Sequence, residues 1–151
     1  MTRPALFRYI RDKAFYPLYR NTQTDYFPTG ELQYETLIDE LKKAERFIFL
    51  EFFIIDDGEM WGTILNILEE KAARGVDVRL IYDAVGCINT LPARFDRELT
   101  KRGIKCVAFN PYKLFISVIL NNRDHRKIMV IDGHTGFTGG INLADEYINR
   151  K

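Results

Sequence analysis

Apolar positions recur along this chain in two alternating rhythms. From Glu31 to Glu45, Leu32, Leu37, Ile38 and Leu41 fall at helical spacing, which predicts an amphipathic helix. Thr29 is placed to cap that helix, and its early acidic residues suit the positive end of the helix dipole. Phe47 to Ile55 is a near-continuous apolar run of strand length, broken by one carboxylate, Glu51. Such runs are typical of strands covered on both faces in α/β sheets. After the turn Asp56-Asp57-Gly58, Ile64, Leu65, Ile67, Leu68 and Ala72 form the apolar stripe of a second helix, Trp61 to Arg74, with Gly75 placed as its C-cap. Val76 to Tyr82 reads as a strand. A third helix starts near Pro92, closes at Leu99 and is ended by Gly103. Ile104 to Phe109 is the next strand. Strands alternating with helices predict an α/β fold with a mixed, largely parallel sheet flanked by helices.

Beyond Phe109 the rhythm changes. Leu114 to Leu120 is strongly apolar and reads as a short core helix or strand, with a lining for lipid chains as the alternative. Ile128 to Ile131 is strand-like. Asp132-Gly133 is a strong hairpin signal, and Thr135 to Thr138 is the returning strand.

Composition narrows the function class. A chain of 151 residues fits one domain of the usual ~100–200 residues and can bury about 68–70% of its unfolded surface. With 46% hydrophobic and 13% aromatic residues, it is not a disordered segment. Cys87 and Cys106 are too few for a disulfide framework and read as buried, reduced thiols. A net charge of +1 argues against duplex binding by bulk electrostatics, so no nucleic acid partner is expected. No run of about 18 apolar residues predicts a membrane span, and no signal peptide is visible. No cluster has metal-ligand spacing, so neither a metal nor a cofactor is expected. Charge is uneven, however. The first twenty residues carry Arg3, Arg8, Arg11, Lys13 and Arg20 against one acid, Asp12, interleaved with Phe7, Tyr9, Phe15, Tyr16 and Tyr19. Residues 1–25 read as an arm or linker packed on the domain, with a membrane-interface segment as the alternative.

The chemistry-bearing residues gather near the end. In a strand beginning near His125, His125 and Lys127 are two apart and share a face, so both can reach one phosphate. The lysine supplies a point charge, and the histidine a nucleophile or a proton. Asp132 is an odd number of residues away and faces the other side, which gives it a mainly structural role. Gly139 and Gly140 let backbone amides approach an anion, and Asn142 can donate to a phosphoryl oxygen. Together these are the parts for phosphoryl transfer: nucleophile, cation and preorganised donors.

The ordered set H-x-K-x-x-x-x-D followed by G-G-x-N, here His125, Lys127, Asp132, Gly139, Gly140 and Asn142, resembles the signature of the phospholipase D superfamily. The wording N-N-R-D-H-R-K-I-M-V-I-D-G with F-T-G-G-I-N-L-A-D-E-Y is similar to bacterial cardiolipin synthases, and Tyr26 to Gly30, Phe49 to Phe53 and Ile81 to Asp83 extend the likeness. The resemblance implies a phospholipase D-like catalytic half-domain over residues 26–151, truncated at its C-terminus. It also implies metal-free chemistry in which His125 attacks phosphorus to form a phosphohistidine. Lys127 then binds phosphate, Asn142 donates from the phosphate loop, and Asp132 completes the catalytic motif. A second motif-bearing half, in the same chain or in a homodimer, protonates the leaving alcohol. The implied reaction makes cardiolipin from phosphatidylglycerol at a membrane surface, with the catalytic domain on the cytoplasmic side of the cell membrane. The alternative is a homodimeric, single-motif phosphodiesterase or nuclease of the same superfamily. The carboxylate that orients the histidine in this family commonly lies further downstream than Lys151.

Four further positions carry weaker signals. Glu51, alone in an apolar strand, reads equally as a group touching the histidine or an alcohol and as a salt-bridged acid. Asp83 ends a strand where α/β sites gather, but reads first as a loop acid. His134 reads as a solvated turn residue, and Asp145 and Glu146 as a helix-start pair without chemistry.

Overall fold

The computed structural model describes residues 3–111 and 122–150; the apolar Leu114–Leu120 stretch lies outside them. Among the described residues, five strands form one mixed sheet in the order β3-β2-β1-β4-β5. Phe47–Phe52 (β1), Asp77–Asp83 (β2) and Lys105–Phe109 (β3) run parallel. Lys127–Ile131 (β4) and Thr135–Thr138 (β5) form a hairpin antiparallel to β1. Helices Gly30–Lys43 (α2), Glu59–Ala73 (α3) and Phe95–Lys101 (α4) flank it, and Arg3–Ala14 forms α1. The two parallel connections each pass through one helix, as a parallel pair requires.

Burial alternates along the strands, except at the end of β2, where Tyr82 and Asp83 are both buried. Ile48, Leu50, Val78, Leu80, Met129 and Ile131 join Leu37 and Leu41 of α2 and Ile64 and Leu68 of α3 in one core, each 3% exposed or less. The opposite face carries the half-buried Phe49 and Glu51 and the exposed Arg79, Ile81, Lys105, Val107 and Phe109. The apolar run at Phe47–Ile55 had predicted a strand covered on both faces. Among the described residues only the helix-bearing face is covered, because both crossovers return on that side.

Capping fixes the helices in place. The Thr29 hydroxyl accepts from Leu32 N at the start of α2. Asp145 accepts from Glu59 N and Met60 N and so caps α3 from a distant segment. A Cβ at Gly58 would meet that carboxylate at 2.4 Å, so the approach needs glycine. Lys71, buried, donates to the carbonyls of Lys42, in the last turn of α2, and of Ala44, its C-cap. This matches the preference of cations for helix C-termini.

The N-terminal arm departs from its first reading. Arg3–Ala14 is helical, and residues 6–26 are exposed rather than packed on the domain. The spacing of Leu6, Phe7, Ile10 and Ala14 was the available helical signal, masked by the alternation of cations and aromatics.

Candidate active site

The site gathers where β1 and β2 end and β4 begins. Lys127 pairs in register with Phe52 and therefore points to the helix-covered face. It is 5% exposed. Gln33, Tyr34, Phe52, Met60, Phe137 and Lys127 surround a void of about 10 Å³, room for roughly one water. The Lys127 ammonium donates to the His125 carbonyl at 2.7 Å and lies 5.1 Å from the centre of the Phe53 ring. Burial pushes its pKa down, opposed by nearby Asp124. A desolvated ammonium binds an arriving anion more strongly than a hydrated one would.

His125 precedes β4 and is exposed. Its imidazole packs on the same Phe53 ring, with centroids 4.6 Å apart. The two residues read from the sequence as phosphate partners thus meet on one aromatic platform, although the strand itself begins only at Lys127. Gly139 and Gly140 follow the Thr138–Ile128 pair and lie at the same end of the sheet. Both are exposed, and a Cβ at Gly140 would meet nothing within 4 Å. The protein's own packing leaves that loop open.

Asn142 is 3% exposed and built into the frame. Its Oδ1 accepts from Ile54 N at 3.0 Å, and its Nδ2 donates to the Tyr147 hydroxyl at 2.7 Å. One of its two amide hydrogens is thereby committed, which leaves the other for a ligand. The Ile55–Leu143 bridge ties this segment to the end of β1.

Asp132 lies at the opposite end of β4 from His125. Its carboxylate accepts from the backbone of Glu45, Arg46 and Phe47, each at 2.8 Å. Burial alone would raise its pKa, but the amides of Phe47, Glu45 and Arg46 prevail and hold it below the usual range. The structural role inferred from strand parity is the one that these bonds serve, and the structure does not bring Asp132 to His125. The hairpin loop takes three residues, 132–134, with positive φ at Asp132 and Gly133, and aspartate tolerates that region better than most residues.

Glu51 faces the sheet's other side and pairs with Arg126 at 3.3 Å. Arg126 also meets Asp124 at 3.3 Å. Burial, then hydrogen bonding and repulsion from Asp124, raise the Glu51 pKa against the opposing Arg126. Two carboxylates and an arginine therefore flank the backbone of His125. Asp124, 6% exposed, was not singled out from the sequence. The nearest signal was its position inside the Asn121–Lys127 run. Asp83, read first as a loop acid, is fully buried and hydrogen-bonded to that run. His134 is exposed in the hairpin loop, beside Thr135. Among the described residues, no group of His, Cys, Asp and Glu is placed to hold a metal ion.

Both cysteines are free and buried. Burial pushes the Cys87 thiol up to about 11 and the Cys106 thiol up to about 12. The thiolate is the reactive form, so native protein is expected to react with a disulfide reagent only at its unfolding rate. Rapid stoichiometric labelling of either thiol under native conditions would contradict this.

A family model described as cardiolipin synthase, phospholipase D-like domain, matches residues 37–151. The chain is 50% identical over 145 residues to an uncharacterized protein of Streptococcus mutans, covering 96% of this chain and 32% of that protein. It is 42% identical over 135 residues to a cardiolipin synthase of Geobacillus, covering 89% of this chain and 27% of that enzyme. It therefore spans about a third or less of the length of these relatives. Its fold is similar to the phospholipase D family member Nuc from Salmonella typhimurium, with a TM-score of 0.54 at 18% identity over 75% of this chain and 66% of that one. A match across residues 37–151, which include the strands, the His125–Lys127 site and the Gly139–Asn142 loop, places the chain in the cardiolipin synthase phospholipase D-like domain family.

Proposed function

We propose that this domain is one catalytic half of a phosphatidyltransferase that makes cardiolipin from phosphatidylglycerol. The observation that carries the reading is the meeting of the His125 imidazole and the desolvated Lys127 ammonium on Phe53, beside the open Gly139–Gly140 loop. An imidazole nitrogen of His125 attacks phosphorus, and the P–O bond to the headgroup glycerol breaks. The departing oxygen takes a proton from the histidine of a second motif-bearing half, so glycerol leaves and phosphatidyl-His125 remains. The glycerol hydroxyl of a second phosphatidylglycerol then attacks, gives its proton to that second histidine and releases His125 with cardiolipin. Lys127 and the loop amides compensate the phosphoryl oxygens, whose charge is most exposed in the transition state.

The test is an exchange of segments. This chain replaces the matching 135 residues of the Geobacillus relative, and conversion of phosphatidylglycerol to cardiolipin is followed in mixed micelles. Product formation is expected. Its absence in a folded chimera, with turnover of a soluble phosphodiester instead, would favour the phosphodiesterase reading.

The substrate reading also proposes a partner for α1, an anionic lipid surface on the cytoplasmic side of the cell membrane. Leu6, Phe7, Ile10 and Ala14 fall on one side of the helix by their spacing. Leu6, Phe7 and Ile10 are 46%, 50% and 36% exposed. Arg11 and Lys13 flank the stripe, and the first twenty residues hold five cations and one acid. Among the described residues no helix is long and apolar enough to cross a membrane; this pattern suits lying in the interface instead. The chain is expected to co-sediment with phosphatidylglycerol-containing vesicles and not with pure phosphatidylcholine. Lys13→Ala should weaken binding about fivefold, from about 1 kcal/mol per cation near an anionic surface. Equal binding to both vesicle types would refute the assignment.

A further inference from the structure

Asp83 ends β2 and is fully buried. The transfer chemistry does not use it, yet its carboxylate gathers four donors. Oδ1 accepts from Val85 N and Gly86 N, both at 2.9 Å, and from the Arg123 guanidinium at 3.1 Å. Oδ2 accepts from Asp124 N at 2.9 Å. Burying a carboxylate is costly unless it is paired and hydrogen-bonded. Here the pairing joins two segments that are distant in sequence, one leading into His125 and the other packed against Phe53.

The first segment leads directly into the histidine. Asp124 N is one residue before His125, and Arg123 reaches back to the Asn110 carbonyl at 3.3 Å. Asn110 returns a bond to the Asn122 carbonyl at 3.0 Å. The second segment carries Gly86, whose amide Asp83 holds. A Cβ at Gly86 would lie 2.2 Å from the Phe53 carbonyl oxygen and 2.9 Å from ring carbons of Phe53. That backbone is therefore pressed against Phe53, whose ring supports the His125 imidazole. Among the described residues the imidazole itself makes no hydrogen bond, so two things set its place: its own backbone and the Phe53 ring. One carboxylate restrains both.

We propose that Asp83 is the positioning residue for His125, acting through Asp124 N on the backbone and through Gly86 on the Phe53 platform. The proposal rests on His125 being the group that reacts with phosphorus. Misplacing a reacting group by about 1 Å can cost about 10²-fold in rate, and that is the scale expected here. Asp83→Asn places an amide donor where two sets of donors converge. Gly86→Ala leaves the carboxylate intact and pushes Phe53 instead.

The chain has two histidines, and His134 sits beyond the far end of β4, so it serves as an internal reference. Imidazole C2–H resonances are recorded for the wild type, Asp83→Asn and Gly86→Ala, with and without inorganic phosphate, alongside thermal unfolding. In either variant that stays folded, the His125 resonance and its phosphate response are expected to change while those of His134 do not. In the Geobacillus chimera the same variants should lower kcat about 10²-fold with KM little changed. Folded variants whose His125 signal, phosphate response and kcat all match the wild type would overturn the proposal. Asp83→Asn failing to fold leaves Gly86→Ala to decide it. A selective His125 change in a chimera that makes no cardiolipin even with Asp83 intact would uphold the positioning and reject the transferase reading.

Discussion

His125→Asn is expected to abolish phosphatidyl transfer in the chimera and with it any covalent intermediate, because asparagine cannot carry a phosphoryl group. The trapped species should be acid-labile and base-stable, as a phosphohistidine is, and absent from the variant. Lys127→Ala should leave the histidine in place and lower the rate by about 10²–10³, the usual cost of losing one preorganised group that compensates transition-state charge. The loss should fall mainly on kcat, since the ammonium is buried, fixed by the His125 carbonyl and held over Phe53 before substrate arrives. Burial lowers the Lys127 pKa, so deprotonation of this residue should reduce activity at a pH below that of an ordinary lysine. Turnover unaffected by His125→Asn would remove the nucleophile assignment. A Lys127→Ala defect confined to KM would show that the cation only binds substrate.

Asp132→Ala is expected to destabilise the fold by about 2–3 kcal/mol, because hydrogen bonds to a charged group contribute about 1.5–3 kcal/mol each and water replaces part of what is lost at the half-exposed end of β1. For a chain of this size that lowers Tm by roughly 5–10 °C. The pH dependence follows from the direction of its shift. Its folded pKa lies below the ordinary carboxylate value, so its stabilisation is complete above about pH 4–5 and is lost as pH falls through the folded pKa. The stability gap between wild type and Asp132→Asn should therefore be full at neutral pH and close under acid. If Asp132 acted on His125 instead, the variant would lose activity without losing stability. Thermal unfolding and turnover measured on the same preparation separate the two.

Much of the fold was legible because its signals are local. Helical spacing at Leu32–Leu41 and Ile64–Leu68 and the runs at Phe47–Ile55 and Val76–Tyr82 gave the elements to within a few residues of those observed. The Asp132-Gly133 turn and the period of two in a strand gave the hairpin and pointed Asp132 away from His125, although the motif resemblance counts it among the catalytic residues. His125 and Lys127 were legible as neighbours in the chain, but the strand starts only at Lys127, and it is the Phe53 ring that both side chains approach.

What the sequence could not carry were contacts between segments far apart in the chain. Asp83 looks like any acid after a strand, and only the register of β2 against β3 together with the return of the chain at Asp124 makes it a buried hub. Phe53 looks like one more apolar residue in a run. Only the antiparallel placement of β4 beside β1 makes it the surface on which His125 and Lys127 meet. Asn142 reads as a ligand donor, while the fold also spends its amide on Ile54 and Tyr147. The sequence by itself determined the kinds of element and their order, and it singled out the candidate reacting groups, since periodicity, turn chemistry and side-chain chemistry act within a few residues. The tertiary structure alone decided which face of the sheet is covered, which carboxylate holds the histidine's backbone and which only holds a strand, because those depend on register and crossover, where one step moves a side chain to the opposite face.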